Sequence, residues 1–443
     1  MITRLHLENF KNFKNADLQL GPFSILGPFS ILVGKNATGK SNIRDAFRFL
    51  HGIGRGYSLA EIFGGKYEAG ARVWDGIRGG AGGVTYQANS TFKLEVTFDI
   101  GVILPIYYKI EVKTDYGDGI PRVVKESLSF GEHSNQFQTD PSSNQDQTIK
   151  VQLAPGGDYK KGHLEDFNSE RPILTQILNA HRLVRRSDSK AKAIKLYASG
   201  VIASLNSIRF LDLSSDALRI PSFPGQIILG DRGENLSSVL QDICKNKERK
   251  DGIVFWLKEL TPLDVIDLEF VSDPQGKIIV SLVEEDGRKT LAYSASDGTL
   301  RFLGLIAALF SSNPNEIYFL EELENGIHPT RQYLLLDLIQ RRTSQQKFQV
   351  IATTHSSQLL NFVEGQTLEN ASYLYRLKGT PDGHIKQIKD FDHIQDVLEN
   401  QTLGGLLESG WFENMVAFDQ DNEDETKDDE IKDVENEKVA VAR

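Results

Sequence analysis

Residues 29–41 read FSILVGKNATGKS, and this stretch decides the fold. Its first part, Phe29–Val33, is a short apolar run typical of a buried strand. Its second part fits G-x-x-x-x-G-K-[S/T], a pattern that forms a phosphate-binding P-loop where it links a strand to a helix. We therefore predict a P-loop from Gly34 to Ser41, opening a helix over Lys40–Phe49.

The residue types of this loop explain how it would hold phosphate. Glycine lets the backbone curl until its N–H groups point at phosphate oxygens, and the helix N-terminus adds its dipole. Lys40 would supply a point charge to the β- and γ-phosphates, and the Ser41 hydroxyl would ligate Mg²⁺. The predicted phosphate-binding residues are Gly34, Asn36, Ala37, Thr38, Gly39, Lys40 and Ser41. The alternative is a glycine-rich turn that binds nothing.

A second apolar run, Ile317–Leu320, ends in two carboxylates. This arrangement is typical of a Walker B strand. The first carboxylate, Glu321, would hold Mg²⁺ directly or through water, and the second, Glu322, would act as the general base on the attacking water. Taken alone, these residues are better explained by a strand followed by a solvated acidic turn.

Three further segments favour the functional interpretation. Ser294–Arg301 is a small, hydroxyl-bearing turn before an apolar helix, which makes it a second potential phosphate binder. Glu324–Pro329 follows the paired carboxylates, and Gln349–Ser356 is a buried strand that ends in His355. A lone histidine at a strand end is usually structural, but its place in this ordered series favours a catalytic role.

Composition limits the class of protein. The chain has 443 residues, 40% of them hydrophobic and 25% charged, which is ordinary for a globular protein. It lacks both an apolar run of about 18 residues and a secretory signal, so we expect a cytoplasmic protein without a membrane span. The only cysteine, Cys244, excludes an intrachain disulfide. Of the net charge of −11, Asp419–Arg443 carries −7, so the acidity belongs mostly to a tail and does not argue against a nucleic-acid partner.

The remaining pattern indicates mixed α/β organisation. Strands are predicted at Phe92–Phe98, Ile106–Val112, Val123–Phe130, Thr148–Leu153, Val265–Leu291, Phe348–Thr353 and Ala371–Leu377. Ser134–Gln147 is polar and is predicted to be a mobile loop, whereas Leu164–Lys250 looks mainly helical. The hexapeptide Gly21–Leu26 is repeated at once as Gly27–Leu32; we expect the second copy to be the buried strand and the first a looped-out insertion.

With these motifs the sequence resembles ABC-type AAA family ATPases. These are compact relatives of RecF and of the heads of structural-maintenance-of-chromosomes proteins. They include the ATPase half of overcoming-lysogenization-defect nucleases and ATPases of phage-defence operons. The resemblance covers about residues 1–412. Its motifs are I-x-x-L-x-L-x-N-F-K-x-F at Ile2–Phe13, S-D-G-T-L-R at Ser296–Arg301, E-E-L-E-N-G-I-H-P at Glu321–Pro329, T-T-H-S at Thr353–Ser356 and L-G-D-R-G-E-N-L at Leu229–Leu236.

The resemblance implies a P-loop NTPase fold with an ABC-type mixed β-sheet core, an antiparallel β subdomain and an inserted helical arm. The implied division is an N-terminal ATPase lobe (1–155), a mainly helical arm (156–250), a C-terminal ATPase lobe (251–412) and an acidic disordered tail (413–443). Leu323 stands where the family usually has proline, and the duplicated hexapeptide precedes the P-loop strand. Both departures put the hydrolysis rate in doubt.

By the same resemblance, two heads dimerise around two molecules of ATP with Mg²⁺. Ser296, Asp297 and Gly298 of one chain would face the nucleotide held by the P-loop of the other. His355 would sense the γ-phosphate as a catalytic residue beside Glu322. The Q-loop glutamine has no clear match, and Gln87 is the nearest.

The basic run His181–Lys195 lies in the predicted arm. It suggests a contact to nucleic acid or a partner protein, although a solvated helical face is the simpler alternative. The predicted contact residues are Arg182, Arg185, Arg186, Lys190 and Lys192.

A built-in nuclease domain is not predicted. Only about 50 residues follow Asp390–Asp392, too few for a domain of roughly 100 residues with clustered carboxylates. We therefore expect a separate effector protein, regulated by an ATP-hydrolysing dimer in phage defence. Two alternatives stay open: a DNA-repair or recombination ATPase that binds DNA through the arm, and a nucleotide-binding scaffold with little hydrolysis.

Overall fold

The fold is known from a computed structural model. It describes residues 1–21, 29–101, 104–115, 117–132, 134–145, 147–153, 163–180, 189–311, 316–345, 348–377 and 379–420. The strands are β1 (Ile2–Phe10), β2 (Phe13–Gln19), β3 (Phe29–Val33), β4 (Lys66–Glu68), β5 (Ala71–Trp74), β6 (Thr91–Phe98), β7 (Ile106–Lys113), β8 (Arg122–Phe130), β9 (Ser134–Gln145), β10 (Thr148–Leu153), β11 (His163–Asn168), β12 (Ile208–Leu211), β13 (Val265–Ser272), β14 (Ile278–Glu284), β15 (Lys289–Leu291), β16 (Ile317–Leu320), β17 (Gln349–Thr354), β18 (Ala371–Arg376) and β19 (Gly383–Gln387).

Helices cover both sheets and connect the strands. They are α1 (Lys40–Gly54), α2 (Leu59–Gly64), α3 (Ile173–Gln176), α4 (Ser189–Asn206), α5 (Ser215–Leu218), α6 (Leu236–Ile243), α7 (Lys247–Leu260), α8 (Asp297–Leu309), α9 (Gln332–Gln345), α10 (Ser357–Leu360), α11 (Gly365–Glu369), α12 (Ile394–Leu398), α13 (Leu403–Glu408) and α14 (411–420). Among the helices described, none combines the length and the apolar character needed to cross a membrane.

The core sheet has the strand order β12–β16–β17–β3–β18–β19. All its neighbours are parallel except β18 and β19. Every residue of β3, β16 and β17 is buried, as expected for strands covered on both faces. Their carboxyl ends meet at one edge, because Leu211 pairs with Leu320 and Thr354 with Val33. The P-loop, the paired carboxylates and His355 all follow strands that end at this edge.

An antiparallel sheet forms the second layer, in the order β11–β10–β9–β8–β7–β6–β1–β2. Its strands alternate buried and partly exposed residues, which is the pattern of a sheet with one covered face. Gln349 joins this layer to the core sheet, because its side chain accepts a hydrogen bond from Ile2 N (3.0 Å) and donates one to Ile2 O (2.8 Å). The predicted combination of a mixed core sheet and an antiparallel subdomain is confirmed.

The prediction of a mobile loop at Ser134–Gln147 is wrong. Residues Ser134–Gln145 form β9, which pairs with both β8 and β10. Backbone hydrogen bonds on both sides hold this polar strand in the sheet, and Phe137 anchors it as a fully buried side chain. Hydrophobic periodicity does not reveal a strand that is specified mainly by its neighbours.

The region 156–250 was predicted to be a mainly helical arm, but its described residues also include two strands, β11 and β12. Strand β12 belongs to the core sheet, and β11 closes the antiparallel sheet. Helix α4 packs on the body of the protein: Tyr197 stacks on Phe130 with ring centroids 4.7 Å apart. The run Ile208–Leu211 has only four residues and no motif beside it, so its pattern does not indicate a strand of the core sheet. The domain boundaries themselves stay predictions.

The prediction that disorder begins at residue 413 is wrong for 413–420, which belong to α14. The helix is anchored by Phe412, a fully buried ring that stacks on Tyr373 at 4.7 Å. An ion pair of 2.6 Å joins Glu413 to Lys35 of the P-loop. Residues 421–443 lie outside the described part of the chain.

The two copies of the duplicated hexapeptide have different outcomes. The second copy supplies most of β3, so its prediction as the buried strand is confirmed. The first copy was predicted to be a looped-out insertion. Except for Gly21, it falls within residues 22–28, outside the described residues, and that prediction stays untested.

Candidate functional site

The turn between β3 and α1 is tightly enclosed. Gly34 allows no side chain, because a Cβ there would lie 2.4 Å from the carbonyl oxygen of Leu374. Gly39 caps α1 with φ of 119°, a conformation that favours glycine. Thr38 Oγ1 donates a hydrogen bond to Lys35 O at 2.9 Å, which closes the loop on itself. The local sequence therefore folds as the predicted strand, loop and helix.

Lys40 lies at the centre of this loop. Its ammonium donates to the carbonyl of Gly34 and, at 2.9 Å, to that of Lys35. Burial lowers the pKa of Lys40, and the carboxylates of Glu324 and Glu322 oppose this effect. A half-buried ammonium is a stronger point charge for an anionic ligand than one in bulk water, because the surrounding dielectric constant is lower.

The two carboxylates after β16 point in different directions. Glu321 Oε2 lies 3.3 Å from Arg44 Nε on α1. Glu322 has a left-handed backbone (φ 51°), its N–H donates to Thr353 Oγ1 at 3.1 Å, and its carboxylate accepts a hydrogen bond from the Asn325 amide. A positive φ in a non-glycine residue is uncommon and here aims the second carboxylate away from the first. The two groups can therefore have separate roles, as predicted from their position just past the strand end.

One cleft of about 600 Å³ joins the P-loop to these carboxylates. The predicted residues that line it are Asn36, Ala37, Gly39, Lys40, Ser41, Glu321 and Glu322. Gly34 and Thr38 are buried residues of the loop that do not line the cleft, and their packing determines how the loop folds. The hydroxyl of Ser41 and the carboxylate of Glu321 are the hard oxygen donors that Mg²⁺ prefers, and Mg²⁺ commonly needs only one or two protein ligands beside substrate phosphates. The residues present fit a magnesium–nucleotide complex.

Sequence reasoning missed several residues of this cleft. Asp212 follows β12 and lies beside Glu321, since Leu211 and Leu320 pair in register. Arg78, Arg301 and Arg376 bring further positive charge. The order of strands in the sheet could have indicated Asp212, and Arg301 ends the S-D-G-T-L-R motif without having been assigned to this cleft, but no local pattern marks Arg78 or Arg376.

The N-F-K-x-F motif supports the P-loop from outside the cleft. Asn12 Nδ2 donates to Thr38 O at 3.2 Å, and Asn12 Oδ1 accepts from Asn42 Nδ2 at 2.6 Å. Lys11 Nζ lies 3.4 Å from the buried carboxylate of Asp45 on α1. The motif thus fixes the loop and the first turn of α1 against the β1–β2 hairpin.

The signature residues lie elsewhere on the chain. Ser296 caps α8, with its Oγ accepting a hydrogen bond from Thr299 N at 3.2 Å. Arg219 donates to Asp297 Oδ1 at 2.7 Å and lowers the pKa of that carboxyl. Ser296 and Gly298 line a separate cleft of about 320 Å³. The structure therefore does not bring Ser296, Asp297 and Gly298 to the P-loop of the same chain.

His355 follows β17 at the same sheet edge as the paired carboxylates. Its side chain is 47% exposed, and its Nδ1 lies 3.3 Å from Glu324 Oε1. Thr353, two residues earlier, lines the P-loop cleft, whereas His355 is not among the residues that line it. Gln87, the weak Q-loop match, donates a hydrogen bond to the Tyr86 hydroxyl at 2.6 Å.

The predicted basic contact residues are mostly beyond what the structure describes. Arg182, Arg185 and Arg186 lie outside the described ranges, as does the side chain of Lys190. Lys192 is exposed on α4. Their role in contacting nucleic acid or a partner stays a prediction.

Comparisons with known proteins agree with these motifs. The family model described as "AAA domain, putative AbiEii toxin, Type IV TA system" matches residues 129–361. A curated protein of Helicobacter pylori (strain ATCC 700392 / 26695) named "ATP/GTP phosphatase" is 24% identical over 386 residues, which are 85% of this chain and 91% of that protein.

Solved structures of SMC heads are also similar to this chain. The SMC head domain from Thermotoga maritima is 12% identical, with a TM-score of 0.37, over 87% of this chain and 98% of that one. An Smc head domain with an extended coiled coil, bound to the C-terminal domain of ScpA derived from Pyrococcus furiosus, is 11% identical, with a TM-score of 0.44, over 90% and 99%.

Proposed function

Since this chain belongs to the AAA domain family whose model it matches, as its motifs predicted, we propose that it binds ATP with Mg²⁺ and hydrolyses it to ADP and phosphate. The observation that carries the proposal is the single cleft in which Lys40 and Ser41 face Glu321 and Glu322. The curated relative's name, ATP/GTP phosphatase, agrees with this reaction.

Each group in the cleft has a defined task in this reaction. The N–H groups of the P-loop and Lys40 bind the phosphates and offset their charge. Ser41 and Glu321 would hold Mg²⁺, which neutralises charge on the phosphate oxygens when bound. Glu322 accepts a proton from the attacking water, and His355, which follows β17 at the same sheet edge, would contact the terminal phosphate.

We further propose that two copies act head to head. Ser296 and Asp297 are exposed, and the signature cleft is separate from the P-loop cleft. The N-terminus of α8, capped by a serine hydroxyl, can bind a phosphate group, but within one chain it does not reach the P-loop cleft where the nucleotide would bind. In a dimer, Ser296, Asp297 and Gly298 of one copy would complete the site of the other. Light scattering of Glu322→Gln should then show a dimer with ATP and a monomer without it.

The biological role we propose is regulation of a separate effector protein in phage defence. The family description names a putative toxin of a type IV toxin–antitoxin system and no repair protein, and we take this in favour of the role in defence. Binding of DNA through the region around Lys192 is the alternative, and it predicts salt-sensitive stimulation of turnover by duplex DNA.

The test is ATP turnover by the purified full chain, with and without duplex DNA. Lys40→Ala should abolish nucleotide binding, and Glu322→Gln should bind ATP but turn over at least about 100-fold more slowly, as loss of a general base does. Glu285→Gln, an exposed carboxylate on the β14–β15 turn, is the matched control and should behave as wild type. Equal turnover in wild type and Glu322→Gln would refute the proposed mechanism.

A further inference from the structure

Glu324 connects the turn after β16 to the end of β17. Its Oε2 accepts a hydrogen bond from Thr354 Oγ1 at 2.8 Å, and its Oε1 accepts one from His355 N at 3.1 Å. The same Oε1 lies 3.3 Å from His355 Nδ1. The Glu324 side chain is only 9% exposed, whereas the His355 side chain that it approaches is 47% exposed.

The contact to the His355 backbone is a hydrogen bond, and the contact to its ring is an approach at ion-pair distance. A carboxylate only accepts hydrogen bonds, so the ring hydrogen must be on Nδ1 for the two groups to bond. In the neutral ring this leaves Nε2, on the opposite side, as an acceptor. Closing this hydrogen bond across the 3.3 Å between Nδ1 and Oε1 would fix both the direction of the ring and the nitrogen that faces other groups.

The remaining contacts of the turn assign this role to Glu324 and not to Glu322. The Glu322 carboxylate is occupied by the Asn325 amide. The backbone of the turn is bonded to the end of β17 twice, from Glu322 N to Thr353 Oγ1 and from Leu323 N to Thr353 O, both at 3.1 Å. This double attachment brings Glu324, the next residue, level with His355.

We propose that Glu324 is a positioning residue that sets the orientation and tautomer of His355 for ATP hydrolysis, an inference that rests on the proposed function. Glu324 does not touch substrate in this scheme and acts only through the imidazole. The competing explanation is that Glu324 merely stabilises the turn. The two differ in what happens when His355 is absent.

The first test reads the ring directly and needs no turnover. Long-range ¹⁵N–¹H spectra of the full chain labelled in histidine distinguish Nδ1–H from Nε2–H, and His355→Gln assigns the signal. We expect the Nδ1–H form in wild type and in Glu322→Gln, and its loss in Glu324→Ala. Glu324→Gln keeps the side-chain volume but loses one acceptor, so it should also weaken the Nδ1–H form if alanine fails to fold. An unchanged His355 signal in the folded Glu324 variants overturns the proposal.

The second test is a double-mutant cycle on turnover. Glu324→Ala should lower kcat by about 10–100-fold with little change in KM, by analogy with the range for groups that orient a metal-ligating histidine. In the His355→Ala background the same change should lower kcat less than about threefold, because the ring it positions is gone. An equal factor in both backgrounds overturns the proposal. If wild type shows no turnover, the proposed function fails, while the spectra still decide whether Glu324 sets the ring.

Discussion

Glu126 on β8 makes the stability of the fold depend on pH. Its carboxyl is 2% exposed and accepts hydrogen bonds from Ile173 N and Leu174 N, each at 2.7 Å, and from the Tyr108 hydroxyl at 3.0 Å. Burial raises its pKa from 4.5 to about 7, although all three donors favour the charged form. This one side chain attaches the start of α3 to the antiparallel sheet.

The direction of this pH dependence follows from the protons that Glu126 binds in the folded and unfolded states. Between pH 4.5 and 7 the folded protein keeps a proton on Glu126 that the unfolded chain has released. The stability present below pH 4.5 is therefore lost as pH rises through this window. At about 1.4 kcal/mol per pH unit, the loss of unfolding free energy amounts to about 3 kcal/mol.

Urea unfolding of wild type and Glu126→Gln at several pH values between 4.5 and 7.5 tests this. The variant keeps the volume and one acceptor but does not titrate. Taking the difference between the two proteins removes other titrating groups, such as buried His51, whose pKa is lowered to about 3 and whose effect has the opposite sign. We expect wild type to lose about 3 kcal/mol relative to the variant across the window. A constant difference, or a relative gain by wild type as pH rises, would refute the reasoning.

Two further predictions concern the junction between the two sheets and the close packing of the P-loop. Gln349→Leu removes the side-chain partners of Ile2 N–H and C=O in the interior. We expect the variant to lose about 2–5 kcal/mol of unfolding free energy in urea titrations. A loss below about 0.5 kcal/mol would show that the two sheets do not depend on this side chain. Gly34→Ala places a Cβ 2.4 Å from Leu374 O and should weaken binding of a fluorescent ATP analogue by about tenfold or more. The control is Gly64→Ala, whose Cβ meets nothing within 4 Å. Equal affinities of the two variants for the analogue would contradict the steric argument.

The parts of the site that were predictable from sequence are those encoded by contiguous residues. The P-loop from Gly34 to Ser41 and the carboxylates after Ile317–Leu320 each combine an apolar run with a polar end. A parallel sheet places such ends at one edge, so the shared cleft follows from the fold class.

What the sequence did not reveal depends on long-range packing. β9 has few apolar residues and exists because β8 and β10 flank it. Asp212 reaches the cleft only because β12 lies beside β16, which no local pattern shows. Glu324 was visible as part of a family motif, but its bonds to His355 depend on where β17 ends.

The position of β3 between β17 and β18 has a consequence for biosynthesis. The ribosome releases the P-loop strand about 300 residues before either neighbour, a delay of roughly 15–60 s at ordinary elongation rates. The antiparallel sheet can assemble from successive hairpins during this time, but the apolar FSILV segment must wait with both edges unpaired. ATP therefore cannot stabilise a nascent chain, because its P-loop strand is not yet held in the core sheet. Premature termination before residue 376 yields a product with an exposed, aggregation-prone strand.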